Sequence, residues 1–328
     1  MIVVTGGAGF IGSNIVRALE ARGTRDIVVC DRLGDDDKWK NIAKRELTDI
    51  IPPESLADFL HDNAIDIETV FHLGAVSATT ERDADLIVES NFRLSLDLWN
   101  WCADHETTLI YASSAATYGD GGQGFVDDDS IGGLATLRPM NAYGWSKHAF
   151  DRRIARIVAE NGPRPPHWAG LKFFNVYGPN EYHKGGQISV ALKNFREIAD
   201  TGRAVLFRSH NPEYEDGGQM RDFVWVGDCV DIALWLADTP AAEGIFNVGT
   251  GAARTFRDLA RAVFSAMGKD EDIAFVDTPE AIRDRYQYFT EADMGRLRAA
   301  GYDRPATPLE NGVAAYVRDY LITDDPYA

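Results

Sequence analysis

The sequence predicts an α/β protein: a doubly wound parallel sheet of the Rossmann type with a smaller, interleaved C-terminal α/β lobe. Two observations indicate this class. The N-terminal half alternates short apolar runs with helical patterns, which is typical of parallel strands covered on both faces. The first run leads directly into Gly6, Gly9 and Gly12, the spacing of a strand-to-helix turn that holds a dinucleotide.

Each element follows from its position in this alternation. The apolar runs predict strands at residues 2–5, 27–31, 69–73, 108–113, 170–175 and 245–248. The intervening patterns predict helices at residues 11–21, 53–63, 86–105, 143–161 and 255–267. Two long polar stretches, 180–187 and 209–220, are predicted to be functional loops.

The change of pattern after Gly178 sets the expected domain organisation. Residues 1–175 are predicted to form the dinucleotide-binding domain, to which residues 221–250 return. Residues 176–220 and 251–328 are predicted to form a substrate-binding lobe.

Composition limits the class of partner. The chain has 328 residues, 45% of them hydrophobic, and a net charge of -18. Such an acidic chain is not expected to bind nucleic acid or an anionic membrane, because both need a basic face. Cys30, Cys102 and Cys229 have no metal-ligand spacing and are predicted to be reduced, buried thiols. With no apparent signal peptide or membrane span, a cytoplasmic location is expected.

The glycine turn predicts the phosphate-binding part of a cofactor site. Gly6 permits the tight turn, Gly9 lets the backbone approach a pyrophosphate, and Gly12 lets helix pack on strand. Phe10 and Ile11 would supply amides at the helix start.

The second strand predicts which dinucleotide binds. Asp31 at its end is suited to hydrogen-bond the adenosine ribose, which by itself would indicate NAD. Arg32 and Lys38 follow closely, and cations here could bind a 2′-phosphate, so NADP is the prediction, with a solvated charged loop as the alternative. The third strand ends in Leu73, Gly74 and Ala75. The small residues in this stretch would let the backbone lie against the phosphates and ribose of the cofactor.

A tyrosine, a lysine and a serine predict the chemistry. Tyr143 and Lys147 are four residues apart, so they share one helix face, where the ammonium is expected to lower the pKa of the phenol. Ser114 follows the fourth strand, whose end faces the ligand crevice of such a sheet. Together these residues predict hydride transfer at a carbinol carbon.

Several further motifs extend this pattern over essentially the whole chain. They are Tyr111–Gly119 (YASSAATYG), 175–179 (NVYGP), 181–185 (EYHKG), 221–224 (RDFV), 246–251 (FNVGTG), 285–287 (RYQ) and 297–302 (LRAAGY). On these motifs the chain resembles the extended short-chain dehydrogenase/reductase family, whose members act on nucleotide sugars. The resemblance implies an epimerase for an ADP-sugar with tightly bound NADP, and a homo-oligomer, a pentamer in relatives.

Lys184 takes its predicted role from this resemblance. An epimerase removes a hydride and returns it to the opposite face of the same carbon, so a proton-handling group is useful on each side. Tyr143 would serve one side and Lys184 the other, with the pKa of the lysine lowered by burial or by neighbouring cations.

The resemblance also implies ligand contacts, residue by residue. For the cofactor it adds Ser77, Asn91, Lys147, Val176 and Lys184. For the substrate it implies Ser114, Asn175, Gly186, Lys193, Phe207, Arg208, Ser209, His210, Arg221 and Tyr286. The chain departs from the family pattern at Leu73, Gly186 and Lys193, which affects the expected sugar recognition but not the chemistry.

Two other functions fit parts of the pattern. A UDP-hexose 4-epimerase would share Ser114, Tyr143 and Lys147 but would have no reason to keep Lys184. A non-catalytic NADP-binding module would be expected to lose Tyr143 or Lys147, and both are present. A nucleotide-sugar 4,6-dehydratase is disfavoured, because family members with that activity have Asp-Glu where this chain has Ala115 and Ala116.

Overall fold

The structure is a computed structural model that describes residues 1–283 and 286–328. Arg285, from one of the motifs above, lies outside the described residues. The strands are β1 (Ile2–Thr5), β2 (Ile27–Cys30), β3 (Asp49–Ile51), β4 (Thr69–His72), β5 (Thr108–Ser114), β6 (Trp168–Phe173), β7 (Asn175–Tyr177), β8 (Ala204–Phe207), β9 (Met220–Arg221), β10 (Phe223–Trp225), β11 (Gly244–Val248), β12 (Arg254–Thr255) and β13 (Ile273–Val276).

Helices alternate with these strands along the chain. They are α1 (Phe10–Ala21), α2 (Leu56–Asp62), α3 (Ala84–Ile87), α4 (Leu94–Asp104), α5 (Ile131–Thr136), α6 (Ala142–Ala159), α7 (Val190–Thr201), α8 (Val226–Ala237), α9 (Phe256–Ala266), α10 (Glu280–Arg283), α11 (Gly295–Ala299) and α12 (Leu309–Tyr316). The helix predicted at 86–105 corresponds to α3 and α4, which a π-helical segment, Val88–Arg93, joins.

The main sheet has seven parallel strands in the order β11-β6-β5-β4-β1-β2-β3. The predicted doubly wound fold is therefore confirmed. The strand order reverses between β1 and β4, and ligands of such sheets bind in the crevice at that point. The edge strand β3 was not predicted, because only three residues form it and two of them are exposed.

Helices cover both faces of this sheet and bury its apolar side chains. One core packs α2, α4 and α6 against the sheet, and its largest buried side chains are Trp99 and Trp168. The other core packs α1, α8 and α11 against the opposite face. The three cysteines lie buried and free in these cores, and burial raises the pKa of the Cys30 thiol to about 12.

A third core lies after β6, among α7, α9, α12 and β8. Three two-stranded sheets accompany it, pairing β10 with β7, β12 with β9, and β13 with β8. Asn175, predicted to end a strand of the main sheet, instead begins β7 and pairs with Phe223. None of the helices among the described residues has the length and apolar character needed to cross a bilayer.

Candidate active site

The turn after β1 has the geometry of a dinucleotide cradle. Gly6 has a φ of 66°, and a Cβ on it would lie 2.7 Å from the backbone N of Gly74 at the end of β4. A Cβ on Gly12 would lie 2.2 Å from the carbonyl oxygen of Gly6. Gly9 is the N-cap of α1 and offers no capping side chain. The first-turn amides are therefore available to a phosphate, and the residues present fit a dinucleotide.

A cleft of about 560 Å³ opens at this turn and continues to the ends of β4 and β5. It brings together most of the predicted site residues. Those lining it are Gly6, Gly9, Phe10, Ile11, Gly12, Asp31, Lys38, Leu73, Gly74, Ala75, Ser77, Ser114, Tyr143, Lys147, Val176, Lys184 and Gly186.

Asp31 and Lys38 form the adenosine-side end of this cleft. One carboxylate oxygen of Asp31 accepts a hydrogen bond from the Ala8 amide at 3.0 Å, and the other lies 2.7 Å from the Nζ of Lys38. Arg32 is exposed, pairs with Glu54 and is not among the residues that line the cleft. Of the two cations predicted for a 2′-phosphate, Lys38 is thus the one at the site.

Tyr143 lies in the first turn of α6, where the side chain of Asn141 accepts a hydrogen bond from the Gly144 amide at 2.8 Å and caps the helix. The hydroxyl of Ser114, which lines the cleft together with Tyr143, lowers the pKa of the Tyr143 phenol. Burial has the larger effect and raises that pKa above its ordinary value. The pKa lowering expected from the sequence is therefore wrong for this state, because it considered a charge and neglected desolvation.

Lys147 is buried one turn after Tyr143, on the same face of α6. Burial lowers the pKa of its ammonium to about 8, while the nearby carboxylate of Asp151 raises it. Asp151 is itself buried and accepts hydrogen bonds from Ser113 Oγ at 2.7 Å and Tyr111 Oη at 3.2 Å. The Nζ of Lys172 lies 3.5 Å from the same carboxylate. This network lies behind the cleft and keeps the carboxylate of Asp151 close to Lys147.

Lys184 enters the cleft from the segment Tyr182–Gln187, which follows β7. Its Nζ lies 5.3 Å from the centroid of the Phe10 ring. Burial lowers the pKa of the Lys184 ammonium and the carboxylate of Glu181 raises it, with burial the larger effect. A lysine held in this way is better able to exchange a proton near neutral pH.

Asn91 is set back from the cleft. It is buried in the π-helical segment, and its amide bonds the backbone N and O of Val76 at 2.8 and 2.9 Å. Its Nδ2 also donates to Ser146 Oγ at 3.0 Å. The side chain therefore fixes the loop after β4 from behind, and any part it plays in cofactor binding acts through that loop.

The remaining predicted substrate residues form a second group beyond β7. The guanidinium of Arg221 lies 5.6 Å from the Tyr286 ring centroid, and Phe207 packs edge-to-face on Tyr286 at 6.2 Å. Lys193 Nζ lies 6.0 Å from the centroid of Phe207. Arg221 is buried, so its charge is exposed to little water.

The stretch after Phe207 continues this group along the loop. Arg208 pairs with Asp277 at 3.8 Å, and the Ser209 amide donates to Asp216 at 2.9 Å. The backbone amide of His210 donates to the Tyr288 hydroxyl at 3.0 Å. Asn175 is exposed at the start of β7, next to Asp222, whose carbonyl accepts its amide hydrogen bond at 3.1 Å.

One cleft residue with a titratable side chain was missed from the sequence. His183 lines the cleft beside Lys184, and its Nδ1 lies 3.1 Å from the Nδ2 of Asn41. The signal available in the sequence was its position next to Lys184 in a polar loop. Burial and the charge of Lys38 lower the pKa of its imidazole.

This site and fold define the class of protein. The chain belongs to the NAD dependent epimerase/dehydratase family, which matches residues 2–249. A nicotinamide dinucleotide is the cofactor class of that family. The family resemblance inferred from the motifs is thus confirmed.

The chain is also similar to individual proteins of known name and to solved structures. The chain is 50% identical over 329 residues, covering 100% of both chains, to ADP-L-glycero-D-manno-heptose-6-epimerase of Nitratidesulfovibrio vulgaris. The crystal structure of the Helicobacter pylori ADP-L-glycero-D-manno-heptose-6-epimerase matches with a TM-score of 0.80 and 24% identity, over 97% of this chain and 95% of that one. A Thermus thermophilus UDP-glucose 4-epimerase in complex with NAD matches with a TM-score of 0.73 and 27% identity, over 95% and 96%.

Proposed function

We propose that this protein is an epimerase that inverts carbon 6 of the heptose in ADP-D-glycero-D-manno-heptose, giving ADP-L-glycero-D-manno-heptose. The observation that carries the proposal is that Tyr143 and Lys184 line one cleft, together with Ser114 and Lys147. Half of all residues are shared, over the full length, with a relative named for this reaction.

Tyr143 is the proton-handling group on one side of the sugar carbon. When bound, the nicotinamide supplies hydride acceptance and return. Tyr143 Oη takes the proton of the carbinol hydroxyl, and Ser114 Oγ, in the lining of the same cleft, orients the same oxygen. The buried Lys147 ammonium sits one turn away and stabilises the phenolate form of Tyr143 that accepts this proton.

Lys184 is the proton-handling group on the other side. The ketone formed by oxidation must present its opposite face before the hydride returns, and its oxygen then needs a second proton donor. Lys184 Nζ supplies that proton, because burial gives it a pKa below that of an ordinary lysine. The presence of both side chains in the lining of one cleft supports this division of labour.

The second group of residues, beyond β7, is proposed to bind the ADP end of the substrate. Arg221 is suited to a diphosphate because its planar guanidinium can donate to two oxygens at once. The Tyr286 ring lies 5.6 Å from the Arg221 guanidinium and Phe207 packs edge-to-face on that ring, so aromatic surfaces for stacking lie beside the arginine. Lys193 Nζ lies 6.0 Å from the centroid of the Phe207 ring, and Arg208, Ser209 and His210 follow Phe207 along the chain.

The cofactor is proposed to be NADP. Lys38 is partly buried beside Asp31, so a 2′-phosphate on the adenosine ribose would exchange one anionic partner of the lysine for another. Arg32 would have to leave Glu54 to assist. We further propose that the enzyme is a homo-oligomer, as the resemblance implied.

The test uses the purified protein with two substrates and no added cofactor. ADP-D-glycero-D-manno-heptose and UDP-galactose are incubated separately and each sugar is followed by NMR. The proposal predicts inversion of the heptose and no change in the hexose. Inversion of UDP-galactose alone would assign the UDP-hexose 4-epimerase function, and no reaction with either would favour a non-catalytic module.

A further inference from the structure

Asn180 occupies an unusual place just before the segment that carries Lys184. It is fully buried, and its φ is 75°, a left-handed conformation that few residues other than glycine adopt. Its Nδ2 donates to Ser13 Oγ at 2.9 Å and to the Asn41 carbonyl at 3.4 Å, and its Oδ1 accepts from the Ala328 amide at 2.9 Å. The two polar atoms of this side chain are therefore bonded to three separate segments of the chain.

Two of those segments belong to the cofactor end of the cleft. Ser13 lies in the first turn of α1, directly after the glycine turn. Asn41 ends the helical turn Asp37–Asn41 that carries Lys38. The Nδ2 of Asn41 donates to the carbonyls of Ala8 at 2.8 Å and Asn180 at 3.1 Å. Asn180 thus connects the fingerprint turn and the Lys38 turn to the Lys184 segment.

The third segment, residues 325–328, covers the outer side of the same loop. The Tyr182 hydroxyl donates to the Pro326 carbonyl at 2.7 Å, and the rings of Tyr182 and Tyr327 pack edge-to-face at 5.2 Å. Lys44 Nζ donates to the Tyr327 carbonyl at 2.7 Å and pairs with Asp325 at 2.8 Å.

On the other side of Lys184 the chain has little to hold it. Gly185, with a φ of 54°, and Gly186 are exposed, and a Cβ on either would meet no atom within 4 Å among the described residues. Glu181 closes the base of the loop by accepting a hydrogen bond from Ser189 Oγ at 2.7 Å. The position of Lys184 is therefore set from its N-terminal side.

We propose that Asn180 is a positioning residue that locks the Lys184 segment to the cofactor-binding turns and to residues 325–328. The inference rests on the proposed function, in which Lys184 handles a proton. It assigns to Asn180 the task of holding Lys184 Nζ in the cleft, half-buried and at a fixed distance from the cofactor edge.

The charged groups around the Lys184 segment, together with its burial, determine how the pKa of Lys184 would change if the segment were loosened. The titratable and charged groups facing Lys184 and its neighbour His183 are Glu181, Asp31, Asp36 and Lys38. Burial is the main cause of the lowered pKa of Lys184. A segment freed from Asn180 would hydrate the ammonium, so the pKa of Lys184 would rise towards that of an exposed lysine.

The test is Asn180→Gly in the full-length protein with its bound cofactor. Glycine accepts the positive φ, so the change removes three side-chain hydrogen bonds without adding backbone strain. The matched control is Asn161→Gly, at an exposed asparagine with a φ of 53° just after α6. We expect kcat for epimerisation to fall on the order of tenfold or more in Asn180→Gly, with KM little changed. Asn161→Gly should match the unsubstituted protein.

A second readout does not depend on catalysis. The pH dependence of Lys184 acetylation by acetic anhydride, which transfers an acetyl group to the neutral amine and releases acetate, reports the pKa of Lys184 when it is followed by peptide mass mapping. We expect that pKa to rise in Asn180→Gly and not in Asn161→Gly. Should Asn180→Gly fail to fold, Tyr327→Ala, at a partly buried position on the outer side of the loop, is expected to shift the same quantities in the same direction.

The outcomes separate this inference from the proposed function. In a Lys184→Met background, Asn180→Gly should cost little further activity, because the two act on one step. An unchanged Lys184 pKa and kcat in both Asn180→Gly and Tyr327→Ala would overturn the positioning role. Full activity of Lys184→Met would instead overturn the two-sided mechanism, while the acylation experiment would still decide whether Asn180 holds the lysine.

Discussion

Lys38 Nζ and Asp31 Oδ1 lie 2.7 Å apart at the end of β2. The carboxylate that is expected to bind the adenosine ribose therefore forms an ion pair with a lysine. This pair allows either cofactor in principle, because the acid favours a free ribose hydroxyl and the lysine favours a phosphate. Arg32, in contrast, is paired with Glu54 at the surface. We therefore expect the choice between NADP and NAD to depend on Lys38.

Lys38→Ala should weaken binding of NADP by roughly tenfold or more and affect NAD much less, because one charge-assisted phosphate contact is lost. Calorimetry of the nucleotide-free protein with each cofactor measures this difference, and mass spectrometry of material released on denaturation identifies the resident cofactor. Arg25→Ala, at an exposed cation, is the control. Release of NAD alone would show that Lys38 pairs only with Asp31.

Tyr143→Phe should reduce epimerisation by roughly 100-fold or more while the cofactor stays bound, because the ring is kept and only the proton-exchanging hydroxyl is removed. The measurement is NMR of the sugar together with the amount of cofactor released on denaturation. Tyr320→Phe serves as the control, since the hydroxyl of Tyr320 accepts from Arg17 outside the cleft. Near-normal turnover of Tyr143→Phe would remove the phenol from the mechanism.

Lys184→Met should depress epimerisation by a similar factor, on the order of 100-fold, with cofactor retained. The informative companion is Lys184→Arg, which keeps the positive charge but does not give up its proton at accessible pH. If charge alone sufficed, Lys184→Arg would stay active; the two-sided mechanism predicts that both variants are slow in the same NMR assay.

Lys147 makes a pH-dependent contribution to stability. Its pKa is lowered to about 8 in the folded protein, against 10.5 for an ordinary lysine. Between these values the unfolded chain binds a proton that the folded chain has lost, so stability contributed by this site rises with pH across that window, by roughly 3 kcal/mol. The free energy of unfolding of the nucleotide-free protein, minus that of Lys147→Met, should increase from pH 8 to 10.5. A difference independent of pH would mean that Lys147 is hydrated in the folded state.

Local patterns predicted the sheet and the cleft well, for identifiable reasons. The apolar run that begins at Ile2 leads directly into a glycine turn, so the sequence itself marks where β1 ends. The start of α6 lies one residue before its predicted position because Asn141 caps it. The predicted strand 170–175 was placed too late, since Trp168 already pairs with Leu109 in the sheet.

Features that depend on contacts between distant residues could not be predicted in this way. The edge strand β3 is short and half exposed, so its sequence carries little apolar signal. Asp151 and Asn180 are ordinary polar residues in the sequence, and their networks join segments far apart in the chain. The pKa of Tyr143 was mispredicted for the same reason, because burial is a property of the folded molecule.

In the proposed mechanism, one hydrogen leaves carbon 6 of the heptose and returns to the opposite face of the same carbon, between Tyr143 and Lys184. The most direct measurement uses ADP-D-glycero-D-manno-heptose carrying deuterium at carbon 6, incubated without added cofactor in ordinary water. We expect the inverted sugar to retain its deuterium at that carbon. Inversion with loss of the label to water would contradict it.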